Sequence, residues 1–190
     1  MTNGPALAVA ILAGGRARRL GGVNKATLRI GTLAIIDRQL PVLRAFAGVF
    51  VVGRDDPEWT SRGLRVVADE IPDAGPLGGI YTAIRHSPCE RTLVVACDMP
   101  FLSGAFLQRL AAVSDADVVI PRSARGYEPL CAIYSRACEI EIHGRLTRRE
   151  YEASKLPAGL RVAEVDVDDD LSVVNVNTPH DYERAKGLID

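Results

Sequence analysis

The chain has 190 residues, 47% hydrophobic and 25% charged, which suits one globular domain over residues 1–190 with a well-buried core. Its 23 basic and 24 acidic side chains leave a formal charge of −1, which argues against a nucleic-acid binder or a membrane-surface protein. No apolar run reaches membrane-spanning length and the N-terminus lacks signal-peptide features, so a cytoplasmic protein is expected.

Short apolar runs alternate with helical patterns, which predicts βαβ units on a mostly parallel sheet. Ala6–Leu12 is a continuous apolar run, as in a strand buried on both faces. A glycine- and arginine-rich loop follows over Ala13–Lys25. Leu33–Phe46 has helical apolar spacing, with a break or kink expected at Pro41. Val49–Val52 and Leu64–Ala68 read as strands, and Ile80–His86 as a short helix behind a glycine turn. Thr92–Cys97 is the next strand, then a helix over Ser103–Val113 with Ser103 as N-cap. Val118–Ile120 is a strand, and Leu130–Tyr134 is expected in a mixed part of the sheet. Arg136–His143 and Thr147–Tyr151 look helical, and Val162–Val165 and Leu171–Val174 read as late strands. Thr178 caps a last helix that begins at Pro179 and turns Ala185, Leu188 and Ile189 inward. The acidic run Asp166–Asp170 reads as a solvated loop.

The four cysteines, Cys89, Cys97, Cys131 and Cys138, form no C-x-x-C pair and no zinc spacing, so they read as reduced core thiols. His86, His143 and His180 show neither triad nor ligand spacing.

Ligands of open α/β sheets bind beyond the carboxyl ends of strands, where the polar and glycine motifs of this chain fall. The first is Leu12-Ala13-Gly14-Gly15-Arg16-Ala17-Arg18-Arg19-Leu20-Gly21-Gly22-Val23-Asn24-Lys25. Glycines let the backbone turn closely around a ligand, and successive N–H groups form a nest for phosphate oxygens. Arginine and lysine add charge-assisted bonds. A solvated basic turn explains this density of both after a buried strand less well than phosphate binding does. Neither G-x-x-x-x-G-K-[ST] nor G-x-G-x-x-G is present, which sets aside a P-loop NTPase and a Rossmann dehydrogenase.

The pattern L-A-G-G-x-x-x-R-[ML]-G-G-x-[DN]-K resembles the signature of the molybdenum cofactor guanylyltransferases. Ala68-Asp69, Gly75-Pro76-Leu77-Gly78-Gly79, Cys97-Asp98-Met99-Pro100, Pro129–Tyr134 and Val174–Pro179 resemble further segments of that family, in family order and over nearly the whole chain. Asn24 stands where relatives usually carry Asp, Leu20 where Met is frequent, and Met99 where Thr is frequent. The resemblance implies an α/β, Rossmann-like three-layer domain with a mostly parallel mixed sheet, as in nucleotide-diphospho-sugar transferases. It also implies GTP and molybdopterin as substrates, Mg²⁺ as cofactor, and partner proteins that supply or accept the cofactor.

It further implies a set of site residues. Asp98, at a strand end, becomes the principal Mg²⁺ ligand, since Mg²⁺ takes hard oxygens; as a bare residue it would pass for a cap or turn Asp. Asn175 or Asn177 becomes a second ligand, although Asn also favours turns for local reasons. Lys25, Arg19 and Asp98 become the catalytic set. Leu12, Ala13, Gly14, Gly15, Arg19, Lys25, Asp69, Gly78 and Asp98 become the nucleotide-binding set. Arg122, Arg125 and Pro129–Tyr134 fall near the pterin by family position.

The chemistry expected is in-line attack of the molybdopterin phosphate on the α-phosphorus of GTP, with loss of pyrophosphate. Three rivals stand beside it. A cytidylyltransferase or sugar-phosphate nucleotidyltransferase would keep the chemistry and change the substrates. A glycosyltransferase of the same fold would usually carry Asp-x-Asp where this chain has Asp98-Met99-Pro100. A non-catalytic nucleotide-binding domain would not need both Lys25 and Asp98. The geometric expectation common to the enzymatic readings is that Lys25 and Asp98 meet at one rim of the sheet.

Overall fold

The structure, a computed structural model, describes residues 6–14, 25–155, 158–167 and 171–189. Among the described residues, ten strands and six α-helices follow in chain order. They are β1 (Leu7–Leu12), β2 (Arg29–Ile30), β3 (Leu33–Ala34), α1 (Ile35–Leu43), β4 (Gly48–Val52), α2 (Pro57–Thr60), β5 (Arg65–Val67) and α3 (Gly75–His86). Then come β6 (Arg91–Ala96), α4 (Gly104–Ala112), β7 (Val118–Ser123), β8 (Gly126–Tyr127), β9 (Cys131–Ser135), α5 (Cys138–Thr147), β10 (Val162–Asp166) and α6 (Pro179–Lys186). The main sheet runs β10-β7-β9-β6-β1-β4-β5, with β8 paired to β7, and β2-β3 forms a separate ribbon.

Strand β1 lies at the centre of the parallel part. Leu7–Leu12 pairs in parallel with Gly48–Val52 on one side and with Arg91–Ala96 on the other. Strand β9 runs antiparallel to both β6 and β7, so the sheet is mixed as expected.

Helices cover both faces, which is why the central strands are apolar at every position. Leu7, Val9 and Ile11 pack with Ile36, Leu40 and Leu43 of α1 and Phe106, Leu107 and Leu110 of α4. Ala8, Ala10 and Leu12 pack on the other face with Leu77, Ile80 and Ile84 of α3 and Ile142 and Leu146 of α5. The result is the three-layer α/β arrangement that the sequence predicts. Among the described residues, no helix is long and apolar enough to cross a membrane.

Several elements differ from the sequence reading. Leu33–Ala34 is a strand, so α1 starts at Ile35; it carries Pro41 in its last turn and stops at Leu43. A proline there removes a single ladder bond just before the helix would end in any case. Helix α3 begins at Gly75, five residues before Ile80, because its first turn tolerates Pro76 and small residues. Thr147–Tyr151 is not helical: α5 ends at Thr147, and Arg149 takes a left-handed φ of 60°. Leu171–Val174 is not a strand but a 3-10 turn over Leu171–Val173, tied to the start of α4 by a bond from the Ser103 N–H to Ser172 Oγ. Leu188 and Ile189 do not turn inward; they are 50% and 37% exposed, beyond the end of α6. The expected caps are present: Ser103 accepts from the Phe106 N–H, and Thr178 forms a capping box with Asp181. Cys97, Cys131 and Cys138 are buried, Cys89 is half-buried, and all four are free thiols.

Candidate active site

Four strand ends converge on one rim. Past the end of β1, the Ala13 N–H bonds the Val52 carbonyl at 2.9 Å. The Cys97 N–H bonds the Leu12 carbonyl at 3.2 Å, and the Gly53 N–H bonds the Val67 carbonyl at 2.9 Å. These bonds extend the ladder beyond the regular strands and line up the segments that follow β5, β4, β1 and β6. Asp69, Gly53, Gly14 and Asp98 therefore stand along a single edge.

The Asp98 carboxylate accepts from the Lys25 ammonium at 3.0 Å, and both side chains are buried. Lys25 opens a 3-10 turn over Lys25–Thr27 on the far side of the glycine–arginine loop. The same ammonium donates to Asn177 Oδ1 at 2.6 Å. Asn177 is brought there by its own segment, since the Val176 N–H bonds the Asp98 carbonyl at 2.9 Å. Asn175 Oδ1 is buried and without a hydrogen-bond partner. The two residues expected to meet do so, and Asn177 joins them.

This arrangement bears on a metal. Two hard oxygens, one anionic, already face one cationic centre, the lysine ammonium, and the orphaned Asn175 oxygen lies two residues away. Such donors fit a divalent oxygen-seeking cation. Among the described residues no group of three or more His, Cys, Asp or Glu forms a metal cage. An ion held here would therefore complete its shell with substrate oxygens, as Mg²⁺ commonly does.

Asp69 is half-buried, and burial alone pushes its carboxyl above the ordinary carboxylate range. It crowds the first loop: a Cβ on Gly14 would lie 2.9 Å from Asp69 Oδ2, so a larger residue there would have to displace the carboxylate. Gly78 is buried in the first turns of α3, where a Cβ would come within 2.8 Å of the Ala74 Cβ and 3.1 Å of the Ile71 carbonyl. Packing alone therefore accounts for a glycine at that position. A Cβ on Gly79 would meet Leu12 Cδ1 at 3.1 Å, which shows how tightly α3 enters against the end of β1. Helix α3 thus starts beside the rim, with its N-terminal dipole end near the end of β1. Gly15 and Arg19 lie outside the described residues.

Cys97, next to Asp98, is fully buried; burial, and then the neighbouring Asp98 charge, push its thiol up to about 12. It stays a neutral core thiol, as its sequence context suggests. Arg122 pairs with Glu164 at 2.9 Å and Arg125 with Glu128 at 3.1 Å.

One residue escapes the sequence reading. Gln39, on α1, is fully buried and donates through Nε2 to the Ala96 carbonyl at 2.8 Å and the Met99 carbonyl at 3.1 Å. The signal available for it was a long polar side chain on the apolar stripe formed by Ile35, Ile36, Leu40 and Leu43.

The model of the MobA-like NTP transferase domain family matches residues 9–161. A protein of Pelotomaculum thermopropionicum named probable molybdenum cofactor guanylyltransferase is 37% identical over 189 residues, covering 95% of this chain and 92% of its own. Molybdopterin-guanine dinucleotide biosynthesis protein A of Archaeoglobus fulgidus superposes with a TM-score of 0.78 at 27% identity, covering 95% of this chain and 97% of its own. A Mycobacterium tuberculosis protein solved in complex with manganese shares the fold, with a TM-score of 0.69 at 19% identity over 96% of this chain and 98% of its own.

Proposed function

We propose that this chain, which belongs to the MobA-like NTP transferase domain family, transfers GMP from GTP to molybdopterin and releases pyrophosphate. The observation that carries the reading is the meeting of the buried Lys25–Asp98 pair with Asn177 at the rim of the sheet. It is joined by likeness over nearly the whole chain to a relative named as a probable molybdenum cofactor guanylyltransferase.

A phosphate oxygen of Mo-bearing molybdopterin attacks the α-phosphorus of GTP. A new P–O bond forms, the bond to the β-phosphate breaks, and pyrophosphate leaves with the charge. Catalysis of such transfers rests on positioning and charge neutralisation, so no protein nucleophile is needed. In this reading Lys25, Arg19 and the loop N–H groups beyond Ala13, those of Gly14 and Gly15, hold the triphosphate. Lys25 meets the charge that develops on the leaving group. Asp69, Gly14 and Gly78 take the nucleoside end. Asp98, with Asn177 or Asn175, holds a divalent cation, for which we propose Mg²⁺. Bound there, it would neutralise phosphate charge and polarise the α-phosphate. The free cysteines suit a cytoplasmic location.

The experiment is GTP and CTP binding, with and without Mg²⁺, on the wild type and Asp98→Ala, together with pyrophosphate release in the presence of molybdopterin. We expect GTP to bind more tightly, with a Mg²⁺-dependent gain that Asp98→Ala removes. Tighter CTP binding would turn the reading to cytidylyl transfer. Nucleotide binding without pyrophosphate release would leave a binding domain.

A further inference from the structure

The loop that carries Asp98 is tied down from several sides. The Ala96 N–H bonds the Leu130 carbonyl at 2.8 Å, the Cys97 N–H bonds the Leu12 carbonyl, and the Asp98 carbonyl accepts from the Val176 N–H. Ala96 is the last residue of β6 and Met99 lies beyond the strand. The carbonyls of Ala96 and Met99, both buried residues, stand on either side of Asp98. Both are taken by one side chain, the Gln39 amide, at 2.8 and 3.1 Å.

A primary amide carries two N–H groups, and here each meets one carbonyl. That fixes which way the amide faces and leaves its oxygen, Oε1, buried without a partner. An unpaired buried acceptor is a cost that Leu or Met at this position would not incur. Both would continue the apolar stripe of α1 and pack into the same core. Helix packing alone therefore does not account for an amide here, whereas the two bonds that bracket Asp98 do.

We propose that Gln39 is a positioning residue for the divalent cation: by holding the carbonyls before and after Asp98, it fixes the backbone from which the carboxylate reaches the ion. The proposal rests on the reading that Asp98 holds the metal. Gln39 touches neither the ion nor the nucleotide. Its contribution is to limit the freedom of the turn, so that the carboxylate is already placed when the cation arrives. Outer contacts of this kind tune metal affinity through the ligands they orient.

The test uses the full chain as wild type, Gln39→Leu, Gln39→Met and Asp98→Asn. Mn²⁺ binding is read by electron paramagnetic resonance in the presence of a GTP analogue with a methylene bridge between the α- and β-phosphorus. Affinity for the analogue is also measured without metal, and turnover is followed as a function of Mn²⁺ concentration. For both Gln39 variants we expect Mn²⁺ to bind about tenfold more weakly or worse, with metal-free analogue affinity little changed. Turnover should approach the wild-type kcat at saturating Mn²⁺, so the defect lies in the metal KM. Met fills the volume flexibly and carries the test if Leu packs poorly.

Wild-type Mn²⁺ affinity in both Gln39 variants, with Asp98→Asn deficient, would overturn the role of Gln39 and leave the metal assignment standing. Equal loss of metal-free and Mn²⁺-dependent binding would reduce Gln39 to a packing residue. Wild-type Mn²⁺ affinity in Asp98→Asn would remove the metal assignment and this proposal with it.

Discussion

Lys25 sits 3.0 Å from one oxygen and 2.6 Å from another, buried at the sheet rim. In the proposed reaction it serves the triphosphate, yet its ammonium lies against the oxygens assigned to the cation. Two opposite effects follow for Lys25→Met. Turnover should fall about 10²–10³-fold, as when a transition-state charge partner is removed. Mn²⁺ binding without nucleotide should tighten, because the competing ammonium is gone; titration of the variant checks it. Retained turnover would remove Lys25 from the catalytic set. Asp69 gives a second residue-level prediction. Burial raises its carboxyl above the ordinary 3.8, so the folded state binds that proton more tightly than the unfolded state. Stability is therefore lost as pH rises through the folded value, and ionised Asp69 weighs against folding near neutrality. Asp69→Asn should raise Tm at about pH 7, with the difference shrinking below about pH 4, while weakening nucleotide binding. A lower Tm at neutral pH would contradict the burial argument.

Gly53, where β4 ends, shows how an element places the site. Its φ is +148°, and a Cβ there would lie 2.9 Å from the Ala13 carbonyl carbon and 3.0 Å from the Gly14 nitrogen. Both neighbours are backbone and cannot swing aside. Gly53→Ala should cost about 1–3 kcal/mol from the strained conformation alone and push the first loop outward, weakening nucleotide binding. Gly48→Ala, at the other end of β4 with nothing within 4 Å of the added carbon, is the control expected to leave both unchanged. Urea unfolding and nucleotide titration read the pair. At this scale the sequence is legible where one pattern decides the element. Leu7–Leu12 is apolar throughout because both faces are covered, and Ser103 and Thr178 announce helices by their own side-chain bonds. It is silent where the element is too short for any period, as in β2, β3, β8 and α2. It misleads at Leu171–Val173, where Val173 is buried in a 3-10 turn tied to the start of α4 and not by sheet pairing, while Leu171 is exposed. The site follows the same rule. The meeting of Lys25 and Asp98 was legible because each ends a buried strand or a glycine-rich loop within a segment that resembles the family's motifs; as a bare residue Asp98 would have passed for a turn or cap. Gln39 was not, because the carbonyls it serves belong to a segment far along the chain.

The rim is assembled from residues spread from Ala13 to Asn177, so a ligand seated there bonds to the start, middle and end of the fold at once. Local unfolding of any one segment would break the cluster, and binding energy should therefore appear as global stability. A ligand that binds only the folded state at about 100 times its Kd adds about 2.7 kcal/mol. For a chain of this size that corresponds to about 5–10 °C in Tm. We expect GTP with Mn²⁺ or Mg²⁺ to produce a shift of that order, and CTP at equal concentration to produce a smaller one. Most of the metal-dependent part should be lost in Asp98→Asn, because the anionic protein ligand to the ion is then gone. Because the orphaned Asn175 oxygen and Asn177 lie on the segment just before α6, Asn177→Ala should lose part of the same increment. Equal shifts with GTP and CTP would remove guanine selectivity while preserving the triphosphate site. Absence of any metal-dependent shift would show that the buried Lys25–Asp98 pair does not open to the cation, and the division of labour at this rim would have to be redrawn around the ammonium alone.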